Sequence, residues 1–357
     1  MFVQAGSQIR PRATVPVIAL TGYLGAGKTT LLNHLLRASR SRIGVVVNDF
    51  GTINVDAALI SGQVDEPASI AGGCLCCLSD AGGLDEALEK LAHPSRRLDA
   101  IVVEASGIAE PVALARLIRF SGVERVRPGG LVDVINAVDH LETVDPGGTP
   151  LARYAAASLT VINKIDRVPA GVRAERVSRI AARVRAGNPH AHLVATTAAR
   201  IDPLLIIDPA LTGDDAQPAL DLGPAAHARE HDHSHADAVT VSAPAPIDPA
   251  RLIELLEQPP AGVYRLKGCV RVAAPATPRR QVVNLVGRQI HVADGSPVSA
   301  ADALVAIGMN LDLAAVRGRL EDALAPAESR PTAAALRSTA ALSPAQRLAH
   351  HDQTDAV

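Results

Sequence analysis

The chain has 357 residues, and at roughly 100–200 residues per domain that length points to two domains or one large one and excludes a small module held by staples. Its 35 Lys and Arg against 37 Asp and Glu give a formal charge of −2, which offers no broad basic field for nucleic acid or an anionic membrane, and 2% aromatics leave almost no base-stacking platform. No apolar run approaches the ~20 residues of a membrane span, and the opening MFVQAGSQIRPRAT lacks the apolar stretch of a secretory signal, so the cytoplasm is the expected location.

Val15–Leu20 is a short apolar run followed by a Gly-rich turn, and Thr29–Arg37 then places Leu31, Leu32, Leu35 and Leu36 at helical spacing. This reads as strand, loop, helix. Further β-branched runs at Ile43–Val47, Ile101–Val103, Val132–Val138 and Leu159–Ile162 alternate with helix-like stretches at Leu84–Leu91 and Pro111–Phe120. Strands apolar on both faces that alternate with helices predict an α/β fold with a doubly wound, mostly parallel sheet. Residues 1–13 read as a flexible N-terminus, 14–207 as the α/β domain and 208–237, rich in Asp, Pro, Ala and His, as a linker. Residues 238–325 read as a smaller α+β domain, with strands at Val239–Val241, Val263–Val272, Gln281–Val292 and Leu304–Ile307 and helices at Pro249–Gln258 and Leu311–Leu324. Residues 326–357 lack a pattern and read as a disordered tail.

Residues 22–29, GYLGAGKT, match G-x-x-x-x-G-K-[ST] between a predicted strand and a predicted helix. Gly22, Gly25 and Gly27 let backbone amides turn inward around phosphate oxygens, and the helix start adds its positive end. The chain has only four lysines, two of which, Lys28 and Lys164, stand in motifs, where a thin stem enters a loop that a planar guanidinium cannot. Lys28 is assigned to the β- and γ-phosphates, Thr29 to Mg²⁺, and the cradle to Gly25, Ala26, Gly27, Lys28, Thr29 and Thr30.

Asn163-Lys164-Ile165-Asp166 follows a predicted strand and matches N-K-x-D. The Asp166 carboxylate can accept from both N1–H and the exocyclic amino group of guanine, donors that adenine lacks, so a buried Asp166 favours GTP over ATP. Asn163 is expected to brace the loop and the Lys164 stem to pack on the purine. Glu104 ends an apolar strand where a carboxylate holds Mg²⁺ directly or through water, and Asp49, after Ile43–Val47, faces the γ-phosphate side; with Lys28 these are the expected catalytic residues.

Three of the four cysteines, Cys74, Cys76 and Cys77, fall in one tetrapeptide between Asp49 and Glu104. That spacing is unlike a secreted disulfide framework and fits a thiolate site for Zn²⁺ or a similar ion, with an incomplete shell that lets the ion leave. His227, His231, His233 and His235 form a second, looser metal-capturing tract.

The combination of GYLGAGKT, VVVNDFG, GGCLCC, EASGIAEP and NKID resembles the CobW-type family of P-loop GTPases, the cobalamin-synthesis and metallochaperone group. Gly262–Gly268 resembles that family's second domain, and the likeness spans about residues 14–325. It implies GTP hydrolysis coupled to delivery of Zn²⁺ or Co²⁺ to a client metalloprotein, with Cys74, Cys76 and Cys77 as ligands, and self-association through the second domain. A GTPase assembly factor for one metalloenzyme and a non-catalytic metal buffer are the alternative readings. The chain departs from the family pattern at Asp49, where Glu is usual, and at Thr52.

Overall fold

The computed structural model describes residues 14–39, 41–47, 68–69, 82–105, 110–143, 152–207, 236–274, 277–295 and 302–327. The first sheet is built from β1 (Val15–Gly22), β2 (Ile43–Val47), β3 (Ala68–Ser69), β4 (Ala100–Glu104), β5 (Val126–Asn136), β6 (Leu159–Asn163) and β7 (His192–Ala195), in the order β3-β2-β4-β1-β5-β6-β7. Every pairing in it is parallel. The expected doubly wound sheet is therefore present, with β1 central and flanked by β4 and β5. Its β-branched residues are buried on both faces, which is why the strands read as continuous apolar runs.

Helix α1 (Lys28–Ala38) turns Leu31, Leu32, Leu35 and Leu36 onto one face of that sheet, where they meet Ile18, Leu20, Val132 and Val161. At roughly 1.5–3 kcal/mol per buried Leu, this stripe fixes the helix more firmly than its uncapped N-terminus does. The opposite face is covered by α2 (Gly82–Leu91) and α3 (Pro111–Arg119), through Leu84, Leu88, Leu114 and Ile118. Two single-turn helices follow, α4 (His140–Thr143) and α5 (Ala152–Ala155), and then α6 (Ala170–Gly187), which buries only Ile180 and Val184. Both α6 and β7 lie outside the predicted elements: α6 buries only two apolar side chains in 18 residues, so its apolar stripe is too thin to show, and β7 has only four residues.

The second sheet is antiparallel, in the order β11-β10-β9-β12-β8, with β8 (Asp237–Ser242), β9 (Val263–Val272), β10 (Arg279–Val286), β11 (Gln289–Asp294) and β12 (Ala303–Gly308). The single strand expected over Gln281–Val292 is two, because Gly287, at φ 57°, and Arg288 make the two-residue turn of a β10–β11 hairpin. Helices α7 (Pro249–Glu257) and α8 (Leu313–Leu324) cover one face; the carboxylates of Asp248 and Asp312 accept from Ala250 N–H at 2.9 Å and Ala315 N–H at 3.0 Å and cap them.

The two sheets share one apolar cluster. Tyr264, Val286 and Ile307 of the second pack with Ile201, Leu205, Ile206 and Ile207, which follow β7. The Tyr264 hydroxyl lies 3.3 Å from the Ser158 hydroxyl just ahead of β6, and its ring meets His192 of β7 edge-on at 4.9 Å. The buried Arg265 guanidinium donates to the Ile206 carbonyl at 3.1 Å. This seam joins the second sheet to the N-terminal ends of β6 and β7, leaving the C-terminal ends of the strands to the loops. Among the described residues no helix is long and apolar enough to cross a membrane.

Candidate functional site

The loops at the C-terminal ends of β1, β4 and β6 converge. At the end of β1 and in the loop after it, Gly22 and Gly27 have φ of 142° and 108°, and a Cβ on either would lie 2.4 Å from a neighbouring atom: the Val134 carbonyl oxygen for Gly22 and Asn163 Nδ2 for Gly27. Only glycine fits. The turn closes with Ala26 N–H donating to the Tyr23 carbonyl at 3.0 Å, and α1 begins at Lys28 with its first-turn amides turned toward the loop. Ala26 and Lys28 are buried, Thr29 half-buried, and Gly25 and Thr30 exposed. The Lys28 ammonium donates to the carbonyls of Gly22 at 3.0 Å and Tyr23 at 3.4 Å, so it lies inside the loop's curve.

Glu104, 2% exposed, ends β4 in register with Leu20 of β1 and Val47 of β2. Thr29 Oγ1 donates to its Oε1 at 2.8 Å. This brings together the two residues that the sequence reading assigned to Mg²⁺. A hydroxyl and a carboxylate, both hard oxygen donors, are the ligand chemistry that ion takes.

The N-K-x-D element meets the same loop from the other side. Asn163, 2% exposed, donates from Nδ2 to the Ala26 carbonyl at 2.9 Å and accepts at Oδ1 from Ala199 N–H at 2.8 Å. The half-buried Lys164, at φ 63°, donates to the Gly25 carbonyl at 2.5 Å, which lays its stem across the mouth of the loop. Asp166 departs from the expectation of a buried carboxylate: it is exposed, on the short 3-10 turn Ile165–Arg167. Arg173 of α6 holds that turn by donating to the carbonyls of Asp166 at 3.4 Å and Val168 at 3.2 Å, which leaves the Asp166 side chain facing outward.

The sequence reading missed a fourth loop, Thr196–Arg200 after β7. Ala198 and Ala199 have φ of 51° and 55°, a conformation uncommon outside glycine, and the loop is held by Thr196 Oγ1 donating to the Arg200 carbonyl at 2.5 Å and by the Ala199–Asn163 bond. The one sequence signal for it is the Thr-Thr-Ala-Ala run beyond the short strand. Asp49, Cys74, Cys76, Cys77 and the His227–His235 tract lie outside the described residues. Among the described residues no three His, Cys, Asp or Glu side chains gather as a metal site.

Comparison with known proteins places both parts of the chain. Residues 16–194 match the CobW/HypB/UreG nucleotide-binding domain, and residues 236–324 match the cobalamin synthesis protein cobW C-terminal domain. A Pseudomonas aeruginosa protein named zinc chaperone CobW is 32% identical over 370 residues, covering 90% of this chain and 95% of that protein. A Sinorhizobium protein of the same name is 30% identical over 351 residues, covering 86% and 96%. Among solved structures, the Zn(II)-bound YjiA GTPase from E. coli aligns over 87% of this chain and 98% of its own, at 20% identity and a TM-score of 0.40.

Proposed function

The chain belongs to the CobW family of P-loop GTPases, and from that premise we propose that it hydrolyses GTP and uses the cycle to hold Zn²⁺ or Co²⁺ at Cys74, Cys76 and Cys77 and hand it to a client metalloprotein. The observation that carries this reading is the double tie between the N-K-x-D element and the phosphate loop, Asn163 to Ala26 and Lys164 to Gly25. A base held by Lys164 and Asp166 would then lie one nucleotide's length from phosphates in the Gly25–Thr30 cradle. GTP entry would give Lys28 anionic phosphate oxygens in place of the Gly22 and Tyr23 carbonyls, an exchange toward stronger, charge-assisted bonds. Thr29 and Glu104 would hold Mg²⁺, which supplies neutralisation of the phosphate charge when bound. Asp49 and Glu104 are the carboxylates assigned to orienting the attacking water.

Glu104 and Asp49 flank, in sequence, the segment that bears the three cysteines, so a γ-phosphate that engages the two carboxylates through Mg²⁺ and the attacking water would also act on the thiolates. Metal affinity then differs between the GTP and GDP states, and metal alters the relative affinity for the two nucleotides by the same factor. Thiolate ligands suit the reduced cytoplasm.

The test is GTP turnover and metal titration on the full chain. Lys28→Ala is expected to lower kcat/KM for GTP by about 100-fold or more, and unchanged turnover overturns the phosphate site. Changing Cys74, Cys76 and Cys77 together to Ser is expected to abolish tight Zn²⁺ and Co²⁺ binding in the presence of a GTP analogue. Identical metal affinity with GTP analogue and GDP overturns the coupling.

A further inference from the structure

The phosphate loop is held from one flank by a buried cation that none of the sequence motifs contains. Asp133 lies near the C-terminal end of β5, in register with Thr21 of β1 and Thr160 of β6, and is 1% exposed. Its Oδ1 accepts from Thr21 Oγ1 at 2.7 Å and from Arg153 Nη2 of α5 at 3.2 Å. Arg153 is itself 8% exposed, and its guanidinium carbon lies 4.3 Å from the centre of the Tyr23 ring. Tyr23 is the first residue after β1, and its carbonyl receives both the Ala26 N–H that closes the loop and the Lys28 ammonium. An unbroken path of contacts thus runs from a sheet carboxylate through a guanidinium and an aromatic face to the backbone of the loop.

Each member of that path suits its place. A lone carboxylate or a lone cation so deeply buried is costly, and the pair offsets that cost only in good geometry. A planar guanidinium can donate along its edge to Asp133 while presenting its face to the ring, which a lysine ammonium cannot do from one position. Arg153 donates to Asp133 and lays its guanidinium over the Tyr23 ring, so its contacts among the described residues lead to the loop.

We propose that Arg153 is a positioning residue for the phosphate loop, holding Tyr23, and with it the Tyr23–Lys28 turn, in its receptive shape before nucleotide arrives; the inference rests on the GTPase reading above. A cradle shaped in advance spends none of its binding energy on ordering itself. Loss of the stacked contact therefore weakens GTP and GDP alike. The signature is a raised KM with kcat retained, because ground state and transition state lose the same binding. A residue that only supports the fold would instead lower the melting temperature and the active fraction, leaving KM in place.

The experiment uses the full chain and measures steady-state GTP turnover, Kd for a GTP analogue and for GDP, and thermal unfolding. Tyr23→Leu removes the aromatic face and leaves the Arg153–Asp133 pair intact, so it keeps the test decisive even if variants of Arg153 fold poorly. Tyr23→Leu and Arg153→Lys are each expected to raise KM and both Kd values about tenfold, with kcat within about twofold. Tyr23→Phe, which restores the aromatic face, is expected to bring KM back toward the wild-type value. The double variant Tyr23→Leu with Arg153→Lys is expected to be no worse than either single change, since both delete one contact. Wild-type KM in both single variants, or a lowered melting temperature without a change in KM, overturns the inference while leaving the GTPase reading standing. A wild-type chain that binds no guanine nucleotide overturns both.

Discussion

The two ends of the parallel sheet solve opposite problems with the same strands. At the C-terminal ends of β1, β4 and β6, side chains bond to loop backbone, Asn163 to Ala26, Lys164 to Gly25 and Lys28 to Gly22, and Thr29 bonds to the Glu104 carboxylate. At the N-terminal ends of β6 and β7, the second sheet seats a tyrosine against a serine and a histidine and continues the apolar cluster. The first arrangement is built from donors and acceptors. The second is built from an apolar cluster with the Tyr264–Ser158 and Arg265–Ile206 hydrogen bonds beside it. Stability is therefore expected to reside at the seam and ligand selectivity at the loops, and variants at the two ends should separate the two properties.

The largest effect is expected at the seam. Tyr264→Ala deletes a ring that is 2% exposed and opens a cavity between the sheets, so it should cost about 4 kcal/mol in denaturant unfolding. Affinity for GTP should stay within about twofold, because the change touches none of the loop bonds. A tenfold change in affinity would break the division and show that the seam governs the loops. His192 sharpens the same point through pH. Burial lowers its pKa from 6.5 to about 4, so the folded chain keeps the ring neutral while the unfolded chain protonates it below about 6.5. Stability is then fully present above pH 6.5 and falls as pH drops toward 4, by up to about 3 kcal/mol. His192→Leu should flatten that part of the pH dependence of the urea midpoint, and a variant with the wild-type slope would show that the ring is not held neutral at the seam.

At the other end, Gly27→Ala puts a Cβ 2.4 Å from Asn163 Nδ2 at a φ of 108° and forces the amide off the Ala26 carbonyl. Affinity for GTP should fall about 100-fold, measured with a fluorescent analogue, while unfolding stability falls by only about 1–2 kcal/mol. Equal losses in the two measurements would mean that the loop belongs to the core rather than to the ligand.

The same contrast decides what could be read from the sequence. The loops are legible because backbone geometry dictates residue identity there: glycine where φ is positive and a Cβ would collide, and Asn163 where a side chain must donate to one loop and accept from another. The central strands are legible because both faces are buried. The seam is not legible, since Tyr264 meets a residue 106 positions away and nothing local marks Ser158 or His192 as its partners. Arg153 is not legible for the same reason, because its meaning depends on Asp133 and Tyr23 in other elements. The Gly287–Arg288 turn is hidden because apolar residues continue on both sides of it, and the exposure of Asp166 has no mark in N-K-x-D, which signals the residue's role and not its place on an outward turn.

The smallest effect is expected at Asp166, and its size follows from that exposure. A carboxylate already in water gains less from guanine than a buried one would, since each bond to the base replaces a bond to solvent. The bonds are nonetheless charge-assisted, and guanine offers two donors where adenine offers none, so discrimination survives at roughly one order of magnitude. Asp166→Ala should therefore reduce the preference for GTP over ATP about tenfold, read from the two nucleotides in direct competition for turnover, and shift unfolding stability by less than about 0.5 kcal/mol. An unchanged GTP-to-ATP ratio would remove Asp166 from base recognition and move selectivity to Lys164 and the Thr196–Arg200 loop. A ratio that collapses by several orders would show that the turn closes over the base and buries the carboxylate, as the sequence reading expected, and only when nucleotide is present.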